Sequence, residues 1–183
     1  MPRAGLNTEV LVGVALDLVD EKGLEALSLA ALADRAGVAG PSLYKHMGSL
    51  ASLRGLMALA VVRQLTAMCT TAVMGRSRED AVEALMRHYR AFAVEHPGRY
   101  ALVPLNALQD PAVAAAGAEL LAVFGAVLRA YGLEGSEATH AIRRMRATVH
   151  GFVVLETGGG FGLPEDVEAS FDQVVTMVLR SLE

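Results

Sequence analysis

The stretch from Leu27 to Leu50 constrains this chain most, because its local signals fit two short helices joined at a glycine. Ser28 stands where a hydroxyl accepts an orphan N–H of a first helical turn. Leu27 before it and Leu32 after it occupy the two positions of a hydrophobic staple. Leu29, Leu32, Ala33 and Ala36 recur at helical spacing and predict one apolar face. Gly37 follows, where a left-handed residue ends a helix without a Cβ clash. Val38 is expected to plug the core between the helices. Gly40-Pro41 reads as a second start, since proline at the first helical position loses no needed donor. The second helix, about Pro41 to His46, carries Ser42, Tyr44, Lys45 and His46.

Two helices joined this way form a helix-turn-helix, whose second helix can enter a DNA major groove. On that reading Lys45 meets a phosphate or a guanine and Tyr44 a phosphate. Ser42 and His46 meet base edges or backbone. Gly40 and Pro41 let the helix end approach the duplex, with its dipole favouring phosphate, and Ser28 offers its amide to a phosphate as well as capping. The plainer reading of the same residues is a solvated polar face and a simple cap. Net charge is −4, which excludes a generally basic nucleic-acid coat, so DNA binding has to come from a local patch. From Arg35 to Arg54 the charges are Arg35, Lys45 and Arg54, with no acid between them.

The run Leu-Ser-Leu-Ala-Ala-Leu-Ala-Asp-Arg-Ala-Gly-Val over 27–38, then Leu43-Tyr44-Lys45-His46, resembles the DNA-binding domain of TetR-type transcriptional repressors. Met47 stands where that family usually has Phe. Leu50-Ala51-Ser52-Leu53 stands where it has a Lys-Glu-Glu-Leu-like run, so a phosphate-meeting lysine is replaced. The resemblance implies double-stranded operator DNA as a partner and a homodimer reading a palindrome.

Outside this stretch the chain reads as helix throughout. Its 183 residues are 53% hydrophobic, only 5% aromatic and lack Trp, which suits closely packed helices better than a β-sandwich. Asn7 or Thr8 starts a helix to Lys22, with Gly23 as its stop; Leu11, Val14, Ala15 and Leu18 form its buried face. The residues before it, Arg3 among them, are expected to be a loose arm. Ser49 caps a long, mostly apolar helix reaching Cys69 or beyond, expected to be buried on several sides. Ser77 to His96 is a fifth helix, stopped by Pro97-Gly98. Arg99 to Leu108 is a short helix or irregular connection, and Asp110-Pro111 opens a helix to about Tyr131. Ser136–Glu156 and a segment from Pro164 to Leu182 complete an all-α fold of about nine helices. The expected division is a head over 1–48 and a larger ligand-binding and dimerisation domain over 49–183. Gly158-Gly159-Gly160-Phe161-Gly162 lacks the lysine and preceding strand of a phosphate loop and reads as a mobile connection.

Residues 147–156, Ala-Thr-Val-His-Gly-Phe-Val-Val-Leu-Glu, with the glycine-rich loop after them, resemble a TetR-type ligand-binding domain named for a Trp-His-Gly motif; Val149 takes the Trp position. The resemblance places the last two helices across a two-fold axis. Ile142, Met145, Val149, Phe152, Phe171, Val175 and Val178 are then expected at a dimer interface. It also draws His150 toward an effector pocket, with Met68, Met86, Tyr89, Phe92 and Phe124 as the apolar lining for an unknown, largely apolar small molecule. The methionines are explained equally by core packing. Arg143, Arg144 and Arg146 serve an anionic effector, the dimer seam or solvent.

No nucleophile–base pairing and no metal-ligand spacing is visible, and neither cofactor nor metal is expected. An enzyme using Cys69 or His150, or a protein-interaction module, is the alternative. Cys69 is the only cysteine, so no internal disulfide forms, which fits a cytoplasmic protein. No signal-peptide pattern and no uncharged 18-residue apolar run appear, so no membrane partner is expected.

Overall fold

The computed structural model describes residues 6–104, 106 and 110–183, so Arg3 and, in the stretch expected to be irregular, Leu105, Ala107 and Leu108 lie outside the described residues. Nine α-helices and no strand occur among the described residues. They are α1 (Thr8–Lys22), α2 (Leu29–Ala36), α3 (Gly40–Met47), α4 (Leu50–Val73), α5 (Arg78–Glu95), α6 (Pro97–Tyr100), α7 (Pro111–Leu128), α8 (Gly135–Thr157) and α9 (Val167–Arg180). The residues cluster in two compact units. The first runs to Val62 and takes up His96–Ala115; the second is Arg63–Glu95 with Ala116–Glu183. The sequence places a boundary at 48/49; the division between the compact units falls inside α4.

In the first unit α1 packs on α2, α3 and α6, and α2 packs on α3. Asn7 caps α1 by accepting the Val10 N–H at 2.8 Å. Leu11, Val12, Ala15, Leu16, Leu18 and Val19 are buried, while Val14 is only half-buried. Ser28 Oγ accepts the Ala31 N–H at 3.2 Å, and the staple residues Leu27 and Leu32 are both buried. Gly37 adopts φ 66°, ψ 34°. Its N–H donates to Asp34 O and that of Val38 to Ala33 O, both at 3.1 Å, which closes α2 as a Schellman turn. α3 begins one residue before the expected proline, at Gly40. Each fully buried leucine of this unit contributes roughly 2 kcal/mol of transfer free energy, about twice a typical cap, so the caps fix boundaries while the core fixes packing.

Pro97 ends α5 as expected but also opens α6, with His96 as the residue before the helix. Sequence alone marks Pro97-Gly98 as a stop; a proline in the first helical turn both ends one helix and starts the next. Gly98 lies against α1 so closely that a Cβ there would come within 2.7 Å of both Val19 Cγ1 and Val19 O. Arg99 Nε donates to Asp20 Oδ2 at 2.8 Å, and His96 Nδ1 lies 3.2 Å from the same oxygen. A short helix of four residues is thus pinned to α1 by packing and charge.

α4 follows the Ser49 cap, which accepts the Ser52 N–H at 3.0 Å. Its buried residues form one stripe, Leu53, Met57, Val61, Leu65, Cys69 and Ala72 with Val62 beside it, rather than several buried sides. By length and composition alone, Leu50–Val73 and Pro111–Tyr131 are apolar enough to cross a membrane, with mean hydropathy 1.5 and 1.9. Neither holds an uncharged run of 18 residues, because Arg54 and Arg63 interrupt the first and Glu119 and Arg129 the second. Within the fold, part of each helix is buried in protein.

In the second unit α5 packs on α8 and α9, and α8 packs on α9. Asp110, in the first unit, caps α7 through the Ala112 and Val113 N–H groups at 2.8 and 3.2 Å. α9 starts at Val167, not Pro164, because Asp166 accepts the Glu168 N–H at 2.9 Å and takes the capping role. The glycine run after α8 is a second Schellman closure rather than a free connection. Gly159 has φ 73°, the Gly159 N–H donates to Glu156 O at 3.2 Å and the Gly160 N–H to Leu155 O at 2.6 Å. Phe161 then folds back onto Phe152, ring centroids 4.8 Å apart.

Candidate functional site

α3 has two unlike faces. Leu43 and Met47 are buried, while Pro41, Tyr44 and Lys45 are exposed and Ser42, His46 and Gly40 are half-buried. Tyr44 is 51% exposed, unusually open for an aromatic ring in a folded head. The two buried residues stand four apart, so the three exposed ones project from the opposite side of the same two turns. Thr8 Oγ1 donates to His46 O at 2.8 Å and ties the start of α1 to the end of α3. A Cβ on Gly40 would meet nothing within 4 Å, so the start of the helix is open. Ser28 is exposed, and its hydroxyl is engaged as a cap.

The basic patch is narrower than the sequence suggests. Arg35 donates from Nη1 and Nη2 to Glu21 at 2.6 and 2.5 Å. That bidentate bond holds the Glu21 carboxyl below its usual range and raises the Arg35 guanidinium. Glu21 is outside the acid-free segment in sequence, and only the α1–α2 packing brings it there. Lys45 and Arg54 remain exposed.

The second unit holds a small cavity lined by Leu85, Met86 and Tyr89 of α5, Phe124 of α7, and Met145, Arg146 and Val149 of α8. Its volume is about 10 Å³, room for one water. Of the expected pocket residues, Met86, Tyr89 and Phe124 meet there, Tyr89 and Phe124 edge to face with centroids 6.4 Å apart. Phe92 is buried and His150 half-buried, but neither lines this cavity, and Met68 lines an open groove with Thr71, Met74 and His88. The repeats Leu85/Met86–Tyr89 and Met145–Val149 carry the missed lining residues at helical spacing; nothing in sequence says that the two stripes face each other.

Most of the residues expected between two copies are already covered within one chain. Met145, Val149, Phe152, Phe171, Val175 and Val178 are buried within the single chain, and Ile142 is half-buried. They form the core of the α5–α8–α9 layer, because the apolar stripe of each helix turns first to its own neighbours. Among the exposed residues of α8 and α9, beside charged ones such as Arg143, Arg146, Glu168 and Arg180, are Ala147, Gly151, Val154, Leu155, Gln173 and Met177.

Beside that core lies a charge cluster that the sequence did not reveal. Arg90 donates to both Glu156 oxygens at 2.8 and 2.7 Å and to Glu168 at 2.5 Å, while its guanidinium stacks 4.6 Å from the Phe171 ring centre. The bond to Glu156 raises the Arg90 guanidinium further. Arg87 bonds Glu83, Glu168 and Asp172. On α8, Arg144 donates to Ser181 O at 3.1 Å. Cys69 is buried, and burial pushes its thiol up to about 12, which leaves it protonated and unreactive at neutral pH. No three His, Cys, Asp or Glu side chains converge as metal ligands among the described residues.

Two family models match the chain. The family described as "Bacterial regulatory proteins, tetR family" matches residues 11–54, and "Tetracyclin repressor-like, C-terminal domain" matches residues 82–178. An uncharacterized HTH-type transcriptional regulator of Mycobacterium tuberculosis is 39% identical over 181 residues, covering 97% of this chain and 80% of that protein. Another, of Bacillus subtilis, is 30% identical over 182 residues, covering 99% and 95%. A solved protein of unknown function from Rhodococcus sp. RHA1 superposes with a TM-score of 0.80 at 25% identity, covering 99% and 95%. TetR-Q116A from Acinetobacter baumannii AYE, solved in complex with minocycline, shares the fold with a TM-score of 0.73 at 18% identity, covering 96% of each chain.

Proposed function

The chain belongs to the TetR family of DNA-binding transcriptional regulators, and from that premise we propose that it is a cytoplasmic repressor that binds a palindromic operator as a homodimer and is released by a small, largely apolar effector. The observation that carries the reading is the split of α3 between buried Leu43 and Met47 and exposed Pro41, Tyr44 and Lys45. A helix held by one face and bare on the other is what groove insertion requires. Lys45 contacts a phosphate or guanine and Tyr44 a phosphate. Ser42 and His46 meet base edges or backbone, and the open start at Gly40-Pro41, with the Ser28 amide, faces phosphate. With Arg35 held by Glu21, one head has few cations to offer, so tight binding rests on two heads acting together.

The dimer forms through the outward faces of α8 and α9, where Val154, Leu155 and Met177 are each about half exposed beside small Ala147 and Gly151. Small residues next to apolar ones allow close helix approach.

The effector enters the cavity of the second unit. At about 10 Å³ the closed cavity admits no organic molecule, so a ligand binds only an expanded state. That difference in affinity is what a switch needs. Met86 and Met145, with three flexible torsions each, are the residues that give way. In sequence α5, which carries Leu85, Met86 and Tyr89, is followed at His96 by α6, and α6 is pinned to α1. The minocycline complex of the Acinetobacter relative supports a small-molecule response on this fold.

Anisotropy titration of DNA from the protein's own promoter region tests the reading. Affinity falls at least about a hundredfold between roughly 50 and 200 mM salt, and Lys45→Ala weakens binding. Salt-independent binding, or none, together with no effect of Lys45→Ala, would refute it.

A further inference from the structure

The cavity between α5, α7 and α8 is lined by apolar side chains, the phenol of Tyr89 and a single charged group, a cation. Leu85, Met86, Phe124, Met145 and Val149 supply hydrocarbon, thioether and ring; Arg146 borders the same space and is exposed to solvent. Of the other arginines of α5 and α8, only Arg143 is without a bond among the described residues, and it does not line the cavity. Arg87 and Arg90 are held by carboxylates, and Arg144 by the Ser181 carbonyl. Arg146 makes no hydrogen bond or ion pair among the described residues. A guanidinium at the rim of an apolar cavity, with its donors unfilled, suits a ligand with an apolar body and an anionic end. A planar carboxylate matches its two parallel N–H groups, a bond about twice as strong as a neutral one.

We propose that the effector is an amphipathic carboxylate, its hydrocarbon or aromatic part displacing Met86 and Met145 and its carboxylate bonded by Arg146. The inference rests on the cavity being the effector site and adds the chemical class. A neutral ligand of the same shape gains the apolar contacts but leaves the guanidinium unbonded. An ammonium ligand is repelled.

Methionine-methyl NMR of the full chain, labelled with 13C at its methionines, provides the test. Octanoate and 2-naphthoate are titrated against octanamide and 2-naphthamide, with signals assigned through Met86→Leu and Met145→Leu. At least one acid shifts both signals and binds about tenfold tighter than its amide. Arg146→Gln brings acid and amide within about twofold of each other, while Arg143→Gln, on an exposed neighbour that does not line the cavity, preserves the preference. Equal affinity of acids and amides for the native chain, or a preference that survives Arg146→Gln, overturns the carboxylate assignment while leaving the cavity as effector site. Absence of any shift at Met86 and Met145 with all four compounds overturns both.

Discussion

Arg35 is bonded to Glu21 through both terminal guanidinium nitrogens, so the only cation of α2 is tied back to α1. In sequence the two residues are fourteen apart, and the segment around Arg35 looks purely basic. The pair ties α2 to α1 and takes a charge from the face proposed to meet DNA. Glu21→Gln leaves Arg35 free to reach a phosphate. Its DNA affinity is expected to rise and the slope of log affinity against log salt to steepen by about 0.9 per head, one added phosphate contact each. Titration at several salt concentrations measures both.

Lys45→Ala is expected to reduce that slope by a similar amount and to weaken specific and non-specific DNA alike if its partner is a phosphate. If the partner is a guanine, the loss falls on the specific sequence, by about 1–3 kcal/mol. Competition between operator and unrelated DNA separates the two roles, and the fold, read by circular dichroism, stays unchanged because Lys45 is exposed.

Arg90→Gln leaves Glu156 without its bidentate partner at a site where both side chains are less than one-fifth exposed. Breaking a well-buried pair costs about 3–5 kcal/mol, and the partial solvent access here brings this to about 2. For a chain of this length the melting temperature is expected to fall by roughly 4–8 °C, measured by calorimetry. Arg90→Lys recovers little, since one ammonium cannot reproduce bonds to Glu156 and Glu168 and the stacking on Phe171.

Gly98→Ala places a methyl group against the Val19 carbonyl, a backbone atom that cannot turn aside. Overpacking of this kind costs about 1–3 kcal/mol. The expected outcome is a loosened α6, seen as faster amide exchange over α6 and the facing turns of α1. DNA binding without effector is retained and the effector's influence on it is reduced.

Cys69 links stability to alkaline pH. Its folded thiol is pushed up to about 12, whereas the unfolded thiol ionises near its ordinary value. Between those values the unfolded state holds fewer protons, so stability falls as pH rises through that window and is fully present below it. Cys69→Ala lacks this slope, so the stability gap between the two chains narrows from about pH 9 toward 12 in denaturant titrations. At pH 8 the native thiol reacts with a disulfide reagent only as fast as the chain opens.

The local turns were legible because their causes are local. Ser28, Gly37, Ser49 and Asp110 act within five residues of themselves, and the structure finds each in the place its chemistry predicts. The start of α9 was misplaced because Pro164 and Asp166 are both acceptable openings, and the nearer cap prevailed. The glycine run after α8 looked mobile because glycine signals freedom in sequence, whereas here Gly159 and Gly160 give the conformation that closes a helix.

The sequence by itself determined the helical class, the helix-turn-helix and the residues of α3 that stay outside the core, since capping, periodicity and glycine conformation operate over a few residues. Tertiary structure alone decided which neighbour each apolar stripe meets. It buried Met145, Val149, Phe152 and Phe171 in the chain's own core, and it brought Arg90 to Glu156 across 66 residues. Periodicity specifies that a helix has an apolar face; it carries no information about which of several equally apolar faces lies opposite, and that choice is made by packing the whole layer at once.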